Sequence, residues 1–145
     1  MGNSIKELVR KLVNKYGTRN PFALADAMGI EVQLSNPGCA GCYMFLKNHR
    51  YIFLDQNLDE REKIQVMAHE LGHAIMHRKQ NCYFIRNKTL LLSKTEIQAN
   101  MFAAELLISE EDILEYQSFT TEQLSRITGY EERLVELRVK NWDSF

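Results

Sequence analysis

Apolar residues recur at three- and four-residue intervals at the start of the chain: Ile5, Leu8, Val9, Leu12 and Val13. That spacing predicts an amphipathic helix over residues 4–16, stopped by Gly17. Asn20 as a cap and Pro21 as first residue predict a second helix ending at Gly29. The period then changes to two. "IEVQLS" alternates as a strand does and "NPGCAG" breaks the chain. "YMFLK" and "RYIFLD" flank Asn48-His49, which predicts a β-hairpin. Asp59 can cap a long helix, with Glu60 and Glu62 where the positive end of the helix dipole favours acids, and that helix should run to about residue 78. "SKTEIQANMFAAELL" predicts another. Ser109 with Asp112 and the turn at Thr120-Thr121 open two more, and Gly129 divides the last pair. The expected fold class is α+β: one mainly helical domain over residues 1–145, with a small antiparallel sheet ahead of the long helix.

Composition narrows the function classes. A chain of 145 residues, 45% hydrophobic and 26% charged, fits one soluble globular domain, and a net charge of -1 gives no electrostatic case for nucleic acid or membrane as partner. The opening residues mix charge with apolar positions, so neither a signal-peptide core nor a membrane span is expected. Three cysteines without a secretion signal suggest reduced thiols in the cytoplasm. Residues 121–141 mimic a DNA-reading helix-turn-helix, yet Glu122, Glu131, Glu132 and Glu136 balance Arg126, Arg133, Arg138 and Lys140. The favoured reading is part of the same domain, with Leu124, Ile127, Leu134 and Leu137 as core contacts and docking of a protein substrate as a lesser role.

The chemistry concentrates in "MAHELGHAIMH". At about 100° per residue, His69, His73 and His77 fall at about 0°, 40° and 80°, away from Ile64, Met67, Leu71 and Ile75. His69 and His73, one turn apart, can aim both imidazoles at one metal ion. His77 is about 12 Å from His69 along the axis and is not expected to join it on that ion. Glu70 lies about 60° from His73 and 100° from His69, beside a metal rather than on it. A carboxylate there can take a proton from metal-activated water, the general-base role of H-E-x-x-H metallopeptidases.

A catalytic zinc takes three protein ligands and leaves one position open. The candidate third ligand is Glu96, which shares one helical face with Ala99, Asn100 and Ala103, whose small alanines allow close helix approach; Glu105 projects about 180° away. The plainer reading of Glu96 is a capping box with Ser93, its carboxylate bonding back to the Ser93 amide. A separate metal site using Cys39, Cys42 and either Cys82 or His49 competes with the simpler reading of a turn carrying two thiols, His49 pointing to solvent. Tyr43, Tyr83, Tyr116 and His77 are all open as stabilisers of an oxyanion, and the hairpin offers an edge strand to an extended peptide.

"AHELGHAIMH", followed some twenty residues later by "EIQANMFAAELLIS", resembles the ImmA/IrrE family of metallopeptidases, and the resemblance extends to "YMFLKNHRYIFLDQNL" and "NPFALADAMGIEV". It implies a zincin-like fold, with Zn2+ held by His69, His73 and Glu96 and Glu70 as catalytic base. It also implies a biology: family members are often encoded on prophages and integrative elements beside a helix-turn-helix repressor that they inactivate. The expected function is therefore a cytoplasmic zinc endopeptidase acting as an anti-repressor. The alternative is a non-hydrolytic, zinc-containing regulator that binds a transcription factor or repressor. A structural zinc would close its fourth position with a protein ligand, and no such ligand stands at a convincing spacing near Glu96, which leans towards catalysis.

Overall fold

Helix starts are set by side chains that accept hydrogen bonds from N–H groups with no partner inside the helix. Asn20 accepts from Phe22 and Ala23 at 2.8 and 3.2 Å, while Asp59, Ser109 and Thr120 each form a reciprocal capping box with Glu62, Asp112 and Gln123. The computed structural model describes residues 2–80 and 93–142. In chain order the elements are α1 (Gly2–Tyr16), α2 (Pro21–Ala27), β1 (Glu31–Ser35), β2 (Gly41–Leu46), β3 (His49–Asp55), α3 (Glu60–Met76), α4 (Lys94–Leu107), α5 (Glu110–Glu115), α6 (Thr121–Thr128) and α7 (Glu132–Trp142). Among the described residues this is an α+β domain of seven helices and one small sheet. None of these helices is long and apolar enough to cross a membrane.

The hairpin forms with its turn one residue earlier than expected. Leu46 pairs with His49, so the turn residues are Lys47 and Asn48, both left-handed at φ 50° and 63°, as a two-residue primed turn requires. His49 is thus the exposed first residue of β3 rather than part of the turn. β2 and β3 are antiparallel as predicted, but β1 adds to the other edge of β3 in parallel, with Val32 opposite Ile52, and the sheet is mixed with order β1-β3-β2. The parallel pair is made by crossing over from β1 through β2, a connection that alternation within a strand cannot reveal.

The sheet packs on α3. A Cβ at Gly41 would lie 2.6 Å from Val66 Cγ1, so β2 passes against the helix where any side chain would collide. Arg50 on β3 donates to the carbonyls of Ala74 (3.3 Å) and Met28 (3.0 Å), tying strand, α3 and α2 together. The main core joins Ile5, Val9 and Leu12 of α1, Leu24 of α2, Tyr43, Ile52 and Leu54 of the sheet, Met67 and Leu71 of α3 and Phe102 and Leu106 of α4. Buried apolar surface on this scale is the main force holding the helices around α3 and α4. A smaller cluster of Ile108, Ile113, Leu124 and Val135 seats the C-terminal helices.

The helical pair at residues 121–141 departs from its expected core list. Leu124 is buried, but Ile127 is 45% exposed, and the inward positions of α7 are Val135 and Arg138. Arg138 donates to the Ile108 carbonyl at 2.7 Å and faces Glu105 at 3.6 Å, which gives both buried charges a partner. The turn before α7 docks on α3: Glu131 N–H donates to Gln65 Oε1 at 2.6 Å, and Arg61 lies over the Tyr130 ring.

Candidate metal centre

α3 and α4 lie side by side, and their separation is fixed by small residues. Gly72 on α3 faces Phe102 on α4, where a Cβ would come within 3.2 Å of three atoms of that side chain. Ala99 and Ala103 are buried on the facing side of α4. This close approach carries Glu96, in the first turn of α4, to the histidines of α3. Its Oε1 is 3.0 Å from His69 Nε2 and its Oε2 is 2.7 Å from His73 Nε2. The ligand atoms of His69, His73 and Glu96 all fall within 4.8 Å of one another, the one such group among the described residues.

Ser93 caps α4 by accepting from the Glu96 N–H at 3.3 Å, yet the Glu96 carboxylate does not return the bond that a capping box needs. It points to the two imidazoles instead. The half-made box therefore separates the two readings of Glu96: the backbone serves the cap and the side chain serves the cluster.

The donor set suits a divalent metal. His69 Nδ1–H donates to Asn100 Oδ1 at 2.7 Å, which leaves the Nε2 lone pair facing a carboxylate oxygen at 3.0 Å. Two acceptors at that distance repel unless a cation lies between them, and two imidazoles with one carboxylate are donors that zinc accepts. Burial lowers the pKa of His73, partly offset by its contact with Glu96, so the ring is held neutral, as a ligand must be. Burial pushes the Glu96 carboxyl up, but when the His69 and His73 rings present protons to it they outweigh this and hold it well below the ordinary carboxylate range, so the position facing Glu96 favours positive charge.

Glu70 is fully buried one residue after His69 and lines the same cleft as His69 and Glu96. This cleft has a volume of about 560 Å³. One side is α3 with Gln65 and Val66, the other is α7 with Arg133, Leu134, Leu137 and Lys140, and Ala40 stands at the start of β2. Spacing assigned Leu134 and Leu137 to the core. They are half-buried, pack against it and also face the cleft, a double role that periodicity cannot distinguish from plain burial.

His77 is outside the cluster, as its distance along α3 implies: its ring contacts His73 and Gln98. Glu105 is also apart, beside Arg138. Of the candidate oxyanion stabilisers, Tyr43 is buried with its hydroxyl donating to the Arg78 carbonyl, and Tyr116 packs on Phe119. Neither Tyr43, Tyr116 nor His77 lines the cleft, and Tyr83 lies outside the described residues. Cys39 and Cys42 form no metal cluster among the described residues; Cys39 Sγ contacts the Gly41 carbonyl at 3.3 Å and Cys42 is buried in β2, while Cys82 also lies outside them. The spacing did not single out Gln98 as a partner of His77. Its only signal was its place two residues after Glu96 on the same helix.

Comparison with known proteins identifies the family. Residues 25–138 match the peptidase family described as the IrrE N-terminal-like domain. An "Uncharacterized immunity region protein 2" of Bacillus phage phi105 is 35% identical over 139 residues, covering 92% of this chain and 88% of the relative. "Metallopeptidase ImmA" of Bacillus subtilis (strain 168) is 28% identical over 149 residues, covering 97% of this chain and 87% of that protein. Because the matched span takes in α3, α4 and the cleft between them and α7, the chain belongs to the ImmA/IrrE type of metallopeptidase, the IrrE N-terminal-like family.

Proposed function

We propose that this protein is a zinc-dependent endopeptidase of the cytoplasm that cleaves a helix-turn-helix repressor, relieving repression of a prophage or mobile element. The observation that carries the reading is the convergence of His69, His73 and Glu96 beside the buried carboxylate of Glu70, on the wall of an open cleft. When bound there, zinc supplies Lewis acidity that polarises a peptide carbonyl and acidifies water to a pKa of about 7. Glu70 takes the proton of the attacking water and passes it to the leaving amine. Leu134 and Leu137 offer apolar contact to a side chain of the bound peptide, between the charged Arg133, Glu136 and Lys140 of the same wall. The repressor as substrate rests on the family and on the phage immunity-region relative.

The test is Glu70→Gln, which keeps the size of the side chain but cannot accept a proton. Wild-type protein co-expressed with its proposed helix-turn-helix repressor is expected to yield two repressor fragments by mass spectrometry, and the variant to bind the repressor intact. If both proteins relieve repression equally with the repressor uncut, the enzyme is instead a regulator that acts by binding.

A further inference from the structure

His77 takes no part in the three-ligand cluster, yet its ring is held at both nitrogens. Nδ1 lies 3.0 Å from His73 Nδ1, and Nε2 lies 2.8 Å from Gln98 Oε1. The two rings are tilted by 50° with centroids 5.2 Å apart, so they meet through their edges rather than as a stack. An amide oxygen only accepts, so the His77 proton facing Gln98 is on Nε2. Nδ1 of a neutral His77 is then an acceptor and takes a hydrogen bond from His73 Nδ1–H. His73 is left with its Nε2 lone pair on the side of Glu96 Oε2, 2.7 Å away.

We propose that His77 and Gln98 are positioning residues: a hydrogen-bonded relay that fixes the tautomer and ring angle of His73 so that Nε2 faces the metal. The proposal rests on the metal-centre reading above. The other histidine of the cluster has a one-step version, His69 Nδ1–H to Asn100 Oδ1 at 2.7 Å. Gln98, Asn100 and Glu96 all belong to α4, so this single helix supplies one ligand and orients the other two. Outer partners of ligand histidines set ring orientation and ligand basicity, and their loss weakens metal binding by roughly 10- to 100-fold. If His77 served packing alone, the shape of its ring would matter and the acceptor at position 98 would not.

Zinc affinity is measured by chelator competition in the wild type, His77→Phe, Gln98→Met, Gln98→Glu and Glu96→Ala, with circular dichroism to confirm folding. His77→Phe and Gln98→Met are expected to bind roughly 10- to 100-fold more weakly. Gln98→Glu, which keeps an acceptor, is expected to bind at least as tightly as wild type. In the zinc-loaded wild type, long-range proton–nitrogen NMR correlations should show His77 as the Nε2–H tautomer. The relay is overturned if Gln98→Met binds zinc as wild type does, if Gln98→Glu is as weak as Gln98→Met, or if loaded His77 carries its proton on Nδ1. Should His77→Phe fail to fold, the two Gln98 variants decide. Weakening in Glu96→Ala with none in Gln98→Met overturns the relay alone. Wild-type affinity in Glu96→Ala removes the metal centre and the relay together.

Discussion

Replacing Gly72 with alanine tests whether the close approach of α3 and α4 builds the site. The new methyl carbon would sit 3.2 Å from Cβ, Cγ and Cδ1 of Phe102, a side chain with no exposed surface and therefore little room to retreat. Overpacking of this kind costs about 1–3 kcal/mol. Against it, alanine is favoured over glycine inside a helix by about 1 kcal/mol. The net expectation is a loss of about 1 kcal/mol, or a fall in melting temperature of about 2–4 °C for a chain of this size. The larger consequence concerns the ligands, because Gly72 directly precedes His73 and the wedge would move Glu96 away from it. Thermal unfolding with and without added zinc reads both effects. The variant should melt slightly lower without metal and gain less from zinc than the wild type does, since ligand stabilisation scales with the logarithm of affinity. If Gly72→Ala is more stable than wild type and gains equally from zinc, helix propensity alone governs this position and the close-approach argument is wrong.

Other positions give independent checks. Arg138→Met leaves the buried Glu105 without its guanidinium neighbour and is expected to cost about 3–5 kcal/mol in urea unfolding; an unchanged midpoint would show that the pair contributes nothing. Asp59→Ala removes the cap of α3 and should cost about 1 kcal/mol by the same measurement, a neutral result placing the helix start under tertiary control. Leu137→Lys, on the cleft face of α7, should slow repressor cleavage while elemental analysis still finds full zinc, and wild-type cleavage would remove α7 from the substrate path.

Local rules made much of the fold legible. Asn20, Asp59, Ser109 and Thr120 are caps in the structure because each satisfies nearby N–H groups, a relation contained within three residues. The approach of His69 and His73 to Glu96 was also readable, since two helical periods and a row of small residues constrain it. What escaped depends on partners distant in sequence. The parallel pairing of β1 with β3 is decided by chain crossover, and the one-residue shift of the hairpin turn by which residues accept positive φ, here Lys47 and Asn48. Ile127 fits a core-facing pattern yet lies exposed, because α6 is short and α7 turns Val135 and Arg138 inward. The contact of His77 with Gln98 joins the C-cap of one helix to the second turn of another, which no spacing within either helix encodes.

His69, His73 and Glu96 are proposed to hold the metal while Glu70 stands beside it. Elemental analysis of purified wild type, Glu96→Ala and Glu70→Gln tests it most directly. One zinc per chain is expected in the wild type and in Glu70→Gln, and loss of zinc in Glu96→Ala. Full zinc in Glu96→Ala, or its loss in Glu70→Gln, would contradict it.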